Sequence, residues 1–328
     1  MVCFSGALCR SVDYSQPDHC RQKLMRLIHI TDPHLSNLDG LRFMGLRGKR
    51  RSGYLSWYKK RRHVYRPEIL DQLTEAVNSH QPDLVLLTGD LIHIGLEREM
   101  IEAAAWLHRL GPPEKVMFIP GNHDNYARDS LAAMHRHWGS YLPAGSGLTA
   151  DYTAAYPDVR ETQDVRLLGV NTSCVTRIFS ATGKLGKDQR QRLASTLVRE
   201  PDDKRFQCLL IHHPPLPGMT KRRKALSDAA QLEGILSQHP PDLVLYGHLH
   251  CNRGHLLGNT RIFCTASAAS IDNASYRIFD VEQENSGWHC RMRLMTRESG
   301  PGADAPFSIT AESCWLDPAC ESPASTAP

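Results

Sequence analysis

Five short blocks punctuate this chain with side chains that bind metals and move protons. They are Asp32-Pro33-His34, Gly89-Asp90, Gly121-Asn122-His123-Asp124, His212-His213-Pro214-Pro215 and Gly247-His248-Leu249-His250. Most sit just after an apolar run, at residues 27–30, 84–87, 116–119, 209–211 and 243–246, that reads as a buried strand. Carboxylate, imidazole and carboxamide groups therefore gather at strand ends, where open α/β sheets place their ligand sites. Seven such groups exceed what one metal needs and match what two need. Two divalent cations roughly 3.5–4 Å apart repel, so an anion between them is expected, and Asp90 is the candidate. Imidazoles suit borderline metals such as manganese, iron, zinc or cobalt, while Asp and Asn oxygens keep the site hard enough for manganese or iron. A water shared by such a pair loses a proton near neutral pH and becomes a nucleophile for phosphorus, while the cations clamp the phosphate oxygens.

The ordered set Asp-x-His, Gly-Asp, Gly-Asn-His-Asp, His-x-Pro, Gly-His-x-His resembles the calcineurin-like metallophosphoesterase superfamily over about residues 25 to 270. Among its branches the pattern is most similar to bacterial class III cyclic-nucleotide phosphodiesterase-like proteins. The resemblance implies one metal held by Asp32, His34, Asp90 and His250, and another by Asp90, Asn122, His212 and His248. Manganese or iron is the expected pair, with zinc, cobalt or nickel as alternatives. His212 fits the His-x-Pro spacing, which leaves His213 behind the ligands or facing substrate. His123 matches the family histidine that assists the departing oxygen, and a near-neutral pKa suits that role. Asp124 either orients His123 or braces the turn through backbone amides. The implied activity is hydrolysis of a phosphodiester or phosphoanhydride by a metal-bridging hydroxide. The alternatives are a pyrophosphohydrolase acting on a nucleotide-linked lipid precursor at a membrane, a nuclease, or an inactive scaffold. The lipid-precursor branch carries arginine where His123 stands, and retention of all seven ligands plus His123 argues against a scaffold.

Most of the seventeen histidines need no functional account. His80, His108, His135, His137 and His239 fall in helical or helix-end contexts. His93 lies three positions after Asp90, where purple acid phosphatases carry an iron-binding tyrosine; it either faces substrate or packs under the site. Cys251 follows His250, but neighbours on an extended segment point opposite ways, which argues against a thiolate ligand. The ten cysteines form no Cys-x-x-Cys pair and read as free thiols of a reducing compartment.

With 328 residues, 41% of them hydrophobic, the chain can bury a full core, and no apolar run approaches a membrane span. A cytoplasmic location is expected, with contact to the inner face of the membrane as an option. Residues 1–24 carry no convincing secretory signal and read as an N-terminal extension, 25–298 as the catalytic domain, and 299–328 as a C-terminal tail with room for a docked segment around Phe307 and Trp315. Helical patterns recur at 67–77, 97–110, 129–138, 187–199 and 228–238. Late β-rich runs at 261–265, 276–281 and 289–295 are expected to form a second sheet. The expected architecture is a four-layer α/β/β/α sandwich of two mixed sheets flanked by helices.

Residues 42–66 hold ten Lys or Arg and no acid; since the whole chain carries a net charge of +4, the remainder is net −6. Aromatic residues are interleaved with these cations. The segment reads as a solvated insertion docked by its rings, an anion-steering lid in which Arg50 and Arg51 hold substrate phosphate, or a membrane-contacting surface. Stacking on single-stranded nucleic acid is a weaker option. The expected partner is a phosphorylated small molecule, a nucleotide or nucleotide-lipid among the candidates. A smaller cluster, Lys221-Arg222-Arg223-Lys224, approaches the site from another rim.

Overall fold

Alternating burial organises the molecule. The computed structural model describes residues 24–316 except 36, 146–151, 285–286 and 299–304. In chain order it runs β1 (Leu24–Ile30), α1 (Lys49–Ser56), α2 (Arg62–Val64), α3 (Pro67–Ser79), β2 (Leu84–Leu87), α4 (Glu97–Leu110), β3 (Val116–Phe118) and α5 (Ser130–Trp138). There follow β4 (Asp158–Glu161), β5 (Val165–Gly169), α6 (Lys187–Leu197), β6 (Phe206–Leu210), α7 (Ala229–Gln238), β7 (Leu243–Tyr246), β8 (Arg253–Leu257), β9 (Thr260–Cys264), β10 (Ser275–Glu284), β11 (Gly287–Arg297) and β12 (Phe307–Leu316). One sheet has the order β12-β11-β10-β1-β2-β3, and the other β4-β5-β6-β7-β9-β8.

Side chains leave a strand on alternate faces, so each central strand serves two cores. In β1 and β2, Leu27, Leu84 and Leu86 enter the core between the sheets, where they meet Phe206, Leu210 and Leu245. Their neighbours Ile28, Ile30, Val85 and Leu87 face outward onto the buried stripes of α3, α4 and α5, including Leu73, Leu107 and Met134. The second sheet repeats the arrangement, with Leu209, Val244 and Tyr246 packed on Leu193 of α6 and Leu232 of α7. Two mixed sheets with helices outside are the four layers expected.

The late strands divide differently from the expectation. β9 pairs with β7 in the second sheet, but β10 pairs antiparallel with β1, and β11 and β12 extend that first sheet. Composition identifies a strand, whereas its partner is chosen by faces that meet only after folding. Within the expected tail 299–328, Phe307–Leu316 forms β12, and Trp315 is buried against the inter-sheet core. Leu24 opens β1, and residues 1–23 of the expected extension lie outside the described residues. No helix among the described residues is long and apolar enough to cross a membrane.

The basic segment is helical and docked. Lys49–Ser56 continues through a wide turn at Trp57–Arg61 into Arg62–Val64. Trp57 and Leu46 bury against Leu38, Ile94 and Tyr126. Gly53 makes the approach possible, because a Cβ there would stand 2.4 Å from the Tyr126 hydroxyl and 2.6 Å from Ile94. Trp57→Ala should remove about 3–5 kcal/mol of this docking. Because the segment is Lys- and Arg-rich, limited trypsin digestion should then cut first within 42–66, with the global unfolding midpoint little changed. First cleavage elsewhere would show that Trp57 does not hold the segment down.

Candidate metal centre

Parallel strands of both sheets aim their carboxyl ends at one point. Asp32 and His34 follow β1, Asp90 follows β2, and Asn122 with His123 follows β3; from the second sheet His212 follows β6, and His248 and His250 follow β7. Donor atoms of Asp32, His34, Asp90 and His250 lie within 4.8 Å of one another, and those of His212, His213 and His248 form a second such group. The groups meet at Asp90, whose Oδ2 is 3.3 Å from His212 Nε2. His212 Nε2 also stands 3.3 Å from Asn122 Oδ1 and 3.3 Å from His248 Nδ1. The structure thus brings together all seven side chains named from the sequence.

Holding them there distorts the backbone. Asp32, His34, Asp90, His248 and His250 all adopt left-handed conformations, with φ between +45° and +67°. Among the described residues only Gln81 and Phe179 share that trait without being glycine. Such strain is of order 1–3 kcal/mol per residue and persists only where the surroundings enforce it. Asp124 is one enforcer: its two oxygens accept from the amides of Asp90, Leu91 and Gly121, each at 2.8 Å. It braces the turn and makes no bond to the His123 ring. Buried Glu99 does the same for the next loop, accepting from the amides of His93 and Leu96 at 2.8 Å. Gly121 lets the strand ends close, since a Cβ there would fall 2.2 Å from Asp90 Oδ1.

The imidazoles are oriented from behind. His34 Nδ1 donates to the Ile92 carbonyl at 3.0 Å and His212 Nδ1 to Thr88 O at 2.6 Å. His250 Nδ1 meets the Tyr65 hydroxyl at 2.8 Å. In each case Nε2 is left to face the centre, the usual arrangement of a metal-binding histidine. Burial keeps His34 and His248 well below the ordinary histidine range, and neighbouring imidazoles add to this, so both are neutral donors. Burial would raise Asp32, but His250 outweighs it and the carboxyl falls to about 2. Burial would lower His212, but the Asp90 carboxylate, with Asp32 beyond it, holds its proton up to about 9. His213 Nε2 and His248 Nε2 are buried without a hydrogen-bond partner, and Asp32 Oδ1 faces His250 Nε2 at 3.1 Å. Mixed oxygen and nitrogen donors, orphaned imidazole nitrogens and a carboxylate of one group that reaches to 3.3 Å from the other fit a pair of divalent cations.

The remaining sequence-derived candidates divide. His213 is fully buried, with Nδ1 2.7 Å from Thr172 Oγ1, and belongs to the donor group of His212 and His248. His93 stacks on His34 at 5.1 Å and borders the cavity beside it. Arg50 is spent on the Ile94 and Gly95 carbonyls and Asp129, and Arg51 on Leu46 O, so neither guanidinium reaches the centre. Cys251 packs under the second sheet and joins neither donor group. Arg61 is the cation that does arrive: its Nη2 is 3.0 Å from His123 Nε2. His123 Nδ1 gives its hydrogen to His93 O at 2.5 Å, so Nε2 accepts from the guanidinium. Burial and then Arg61 keep His123 far below the usual histidine pKa. As placed, the ring has no proton to give a departing oxygen. Nothing in a run of ten cations distinguishes Arg61, and Tyr65 sits 185 positions from the histidine it orients.

A family model described as calcineurin-like phosphoesterase matches residues 25–252. A protein of Synechococcus sp. strain WH7803, named a probable cyclic nucleotide phosphodiesterase, is 29% identical over 236 residues, covering 69% of this chain and 74% of its own. One of Vesicomyosocius okutanii with the same name is 24% identical, covering 65% of this chain and 85% of its own. Among solved structures, a dimetal phosphatase from Danio rerio aligns with a TM-score of 0.53 at 13% identity, over 88% of this chain and 98% of that one. The purple acid phosphatase PPD1 of yellow lupin aligns at 0.55 and 12% identity, over 88% of this chain and 53% of that one. At such identities the shared property is the fold.

A cation bound by His212 would displace the proton that the ring holds up to about pH 9. Manganese affinity should therefore weaken as pH falls, by about tenfold per unit for one proton, and binding should release that proton. Calorimetry in buffers of different ionisation enthalpy reads both quantities. Affinity independent of pH, or proton release unchanged in His212→Ala, would remove His212 from the donor set.

Proposed function

This chain belongs to the calcineurin-like phosphoesterase family and is a metal-dependent phosphoric ester hydrolase; from that premise we propose that it cleaves a phosphodiester at a two-cation centre. One cation would be held by Asp32, His34, Asp90 and His250, the other by Asp90, Asn122, His212 and His248. Manganese or iron suits this mixture of oxygen and nitrogen donors. Bound there, the pair supplies Lewis acidity and an activated water. The observation that carries the reading is Asp90 Oδ2, which stands 3.3 Å from His212 while Asp90 also belongs to the Asp32, His34, His250 group.

The remaining work falls to the chain's own groups. Neutral imidazoles and two carboxylates keep the donor set low in charge. Arg61 presents a guanidinium at the lip of the centre, where charge develops on phosphate and departing oxygens. His123 accepts from Arg61 and receives no proton, so it holds the guanidinium in place and leaves stabilisation of the departing oxygen to Arg61. This assignment differs from the acid role that the resemblance implies for His123. A diester, with no dianionic phosphate to repel, suits such a site, and the names of the Synechococcus and Vesicomyosocius relatives point to nucleotide diesters.

With manganese, the purified chain should hydrolyse bis-p-nitrophenyl phosphate faster than p-nitrophenyl phosphate. No turnover of either by metal-loaded protein would overturn the diesterase reading. Arg61→Ala should lower kcat on the diester by about 10²-fold at unchanged metal content, with partial recovery in Arg61→Lys or on adding guanidinium. His123→Ala should keep the alkaline limb of the wild-type pH profile, because His123 carries no catalytic proton. Loss of that limb in the variant would restore it as the acid.

A further inference from the structure

Beside Asn122 and His123 the cleft opens into a cavity of about 280 Å³ whose charged lining is cationic: Lys49, Arg61, Arg223 and Lys224 border it, among neutral serines and Tyr126. Among the described residues none of the four has a carboxylate at ion-pair distance, although twelve Arg–carboxylate pairs form elsewhere. Nor are these cations on loose chain. The Ala181 amide donates to Arg223 O at 2.9 Å, and the Gly183 amide to Ala225 O at 3.2 Å, so the loop carrying Arg223 and Lys224 is stitched to the loop forming another wall. Lys49 Nζ donates to Thr176 Oγ1 at 2.7 Å, tying the start of α1 to that same loop. Three elements far apart in sequence therefore converge to hold uncompensated positive charge at one place. Burial pushes Lys49 down to about 8, with Asp90 working against that shift and Arg61 adding to it.

An arrangement of this kind is unfavourable without an anion and favourable with one. The acids of the neighbourhood, Asp32 and Asp90, are committed to the metal centre. A single attacked phosphate at the Asn122 end would engage Arg61 and leave Arg223 and Lys224 unanswered across the cavity. We propose that this cavity is a second anion subsite, and that the physiological substrate is a phosphodiester or phosphoanhydride carrying a further phosphate besides the one attacked. The volume matches a phosphate-bearing fragment of a small molecule and is too small for a macromolecular surface. Phe179 stands at the rim, 82% exposed and held at φ +66°, as a flat apolar wall on which a base or similar group can rest. The inference rests on the phosphodiesterase reading above but concerns residues outside the metal centre.

A matched pair of chromogenic diesters tests it: thymidine 5′-(p-nitrophenyl phosphate) with and without a 3′-phosphate, given to the manganese-loaded chain. The 3′-phosphorylated ester should have a KM at least about tenfold lower, and added salt should erode that advantage. In the double variant Arg223→Ala/Lys224→Ala the preference should shrink to less than about threefold. Both side chains are exposed, and unfolding midpoint and metal content verify that the variant is intact. Equal KM values in the wild-type chain, or an undiminished preference in the double variant, would overturn the subsite. Should neither ester turn over, the diesterase reading fails by itself. Equilibrium binding of the two esters then decides the subsite: tighter binding of the 3′-phosphorylated one, lost in the double variant, sustains it, and equal binding ends it.

Discussion

The approach of Asp90 to His212 is the contact on which everything else depends. Asp90 ends a strand of one sheet and His212 ends a strand of the other, and their side chains come within 3.3 Å. A second tie runs from the His248 amide to Asp32 Oδ2 at 2.9 Å, again between sheets. Neither sheet alone assembles four donors around a point. The centre exists because the inter-sheet core fixes where the two carboxyl edges lie, and that core is built from Leu27, Leu86, Phe206, Leu210 and Leu245. Core packing thus sets the spacing of these side chains: a shift of the sheets by a fraction of an ångström would change the distances between them.

Strain and bracing are two sides of the same arrangement. Five of the seven donors sit at left-handed backbone, which turns each strand end sharply enough to expose its side chain to the shared point. Buried carboxylates with no catalytic duty, Asp124 and Glu99, spend their oxygens on backbone amides of the following turns. Burial and the Asp90 charge push the Asp124 carboxyl up to about 8, so its bracing comes from the amide bonds it accepts and not from a bare charge.

Much of the site was readable from residue types, because strand-end motifs are local. Asp32-Pro33-His34 or Gly247-His248-Leu249-His250 can be recognised without knowing the fold, since spacing places each block at the end of an apolar run. What escaped was set by long-range geometry. β10 and β11 look like neighbours of β9 in sequence, yet the Ala266–Ala274 connection carries the chain back to β1 in the other sheet. Arg50 and Arg51 look as apt for phosphate as Arg61, but helix phase decides among them. The wide turn at Trp57–Arg61 buries Trp57 under the segment and rotates Arg61 toward His123, while Arg50 is consumed as a strut on Ile94, Gly95 and Asp129. A run of like charges hides this distinction, because each member has the same chemistry and only its angular position differs.

The placement of Arg61 also bears on why a histidine stands beside it. A guanidinium stays charged throughout the working pH range, so the cleft gains a fixed positive group whose strength does not vary with protonation. Next to it, an imidazole is driven neutral, by burial first and by Arg61 second. A neutral ring with its Nδ1 hydrogen committed to His93 O offers a single acceptor, Nε2, and that acceptor fixes one arm of the fork. The second arm, Nη1, stands 3.3 Å from His123 Nδ1, so the ring seats both ends of the fork. In this chain the basic insertion contributes a rigid, permanently charged donor, and the strand-end histidine is the part of the core that aims it.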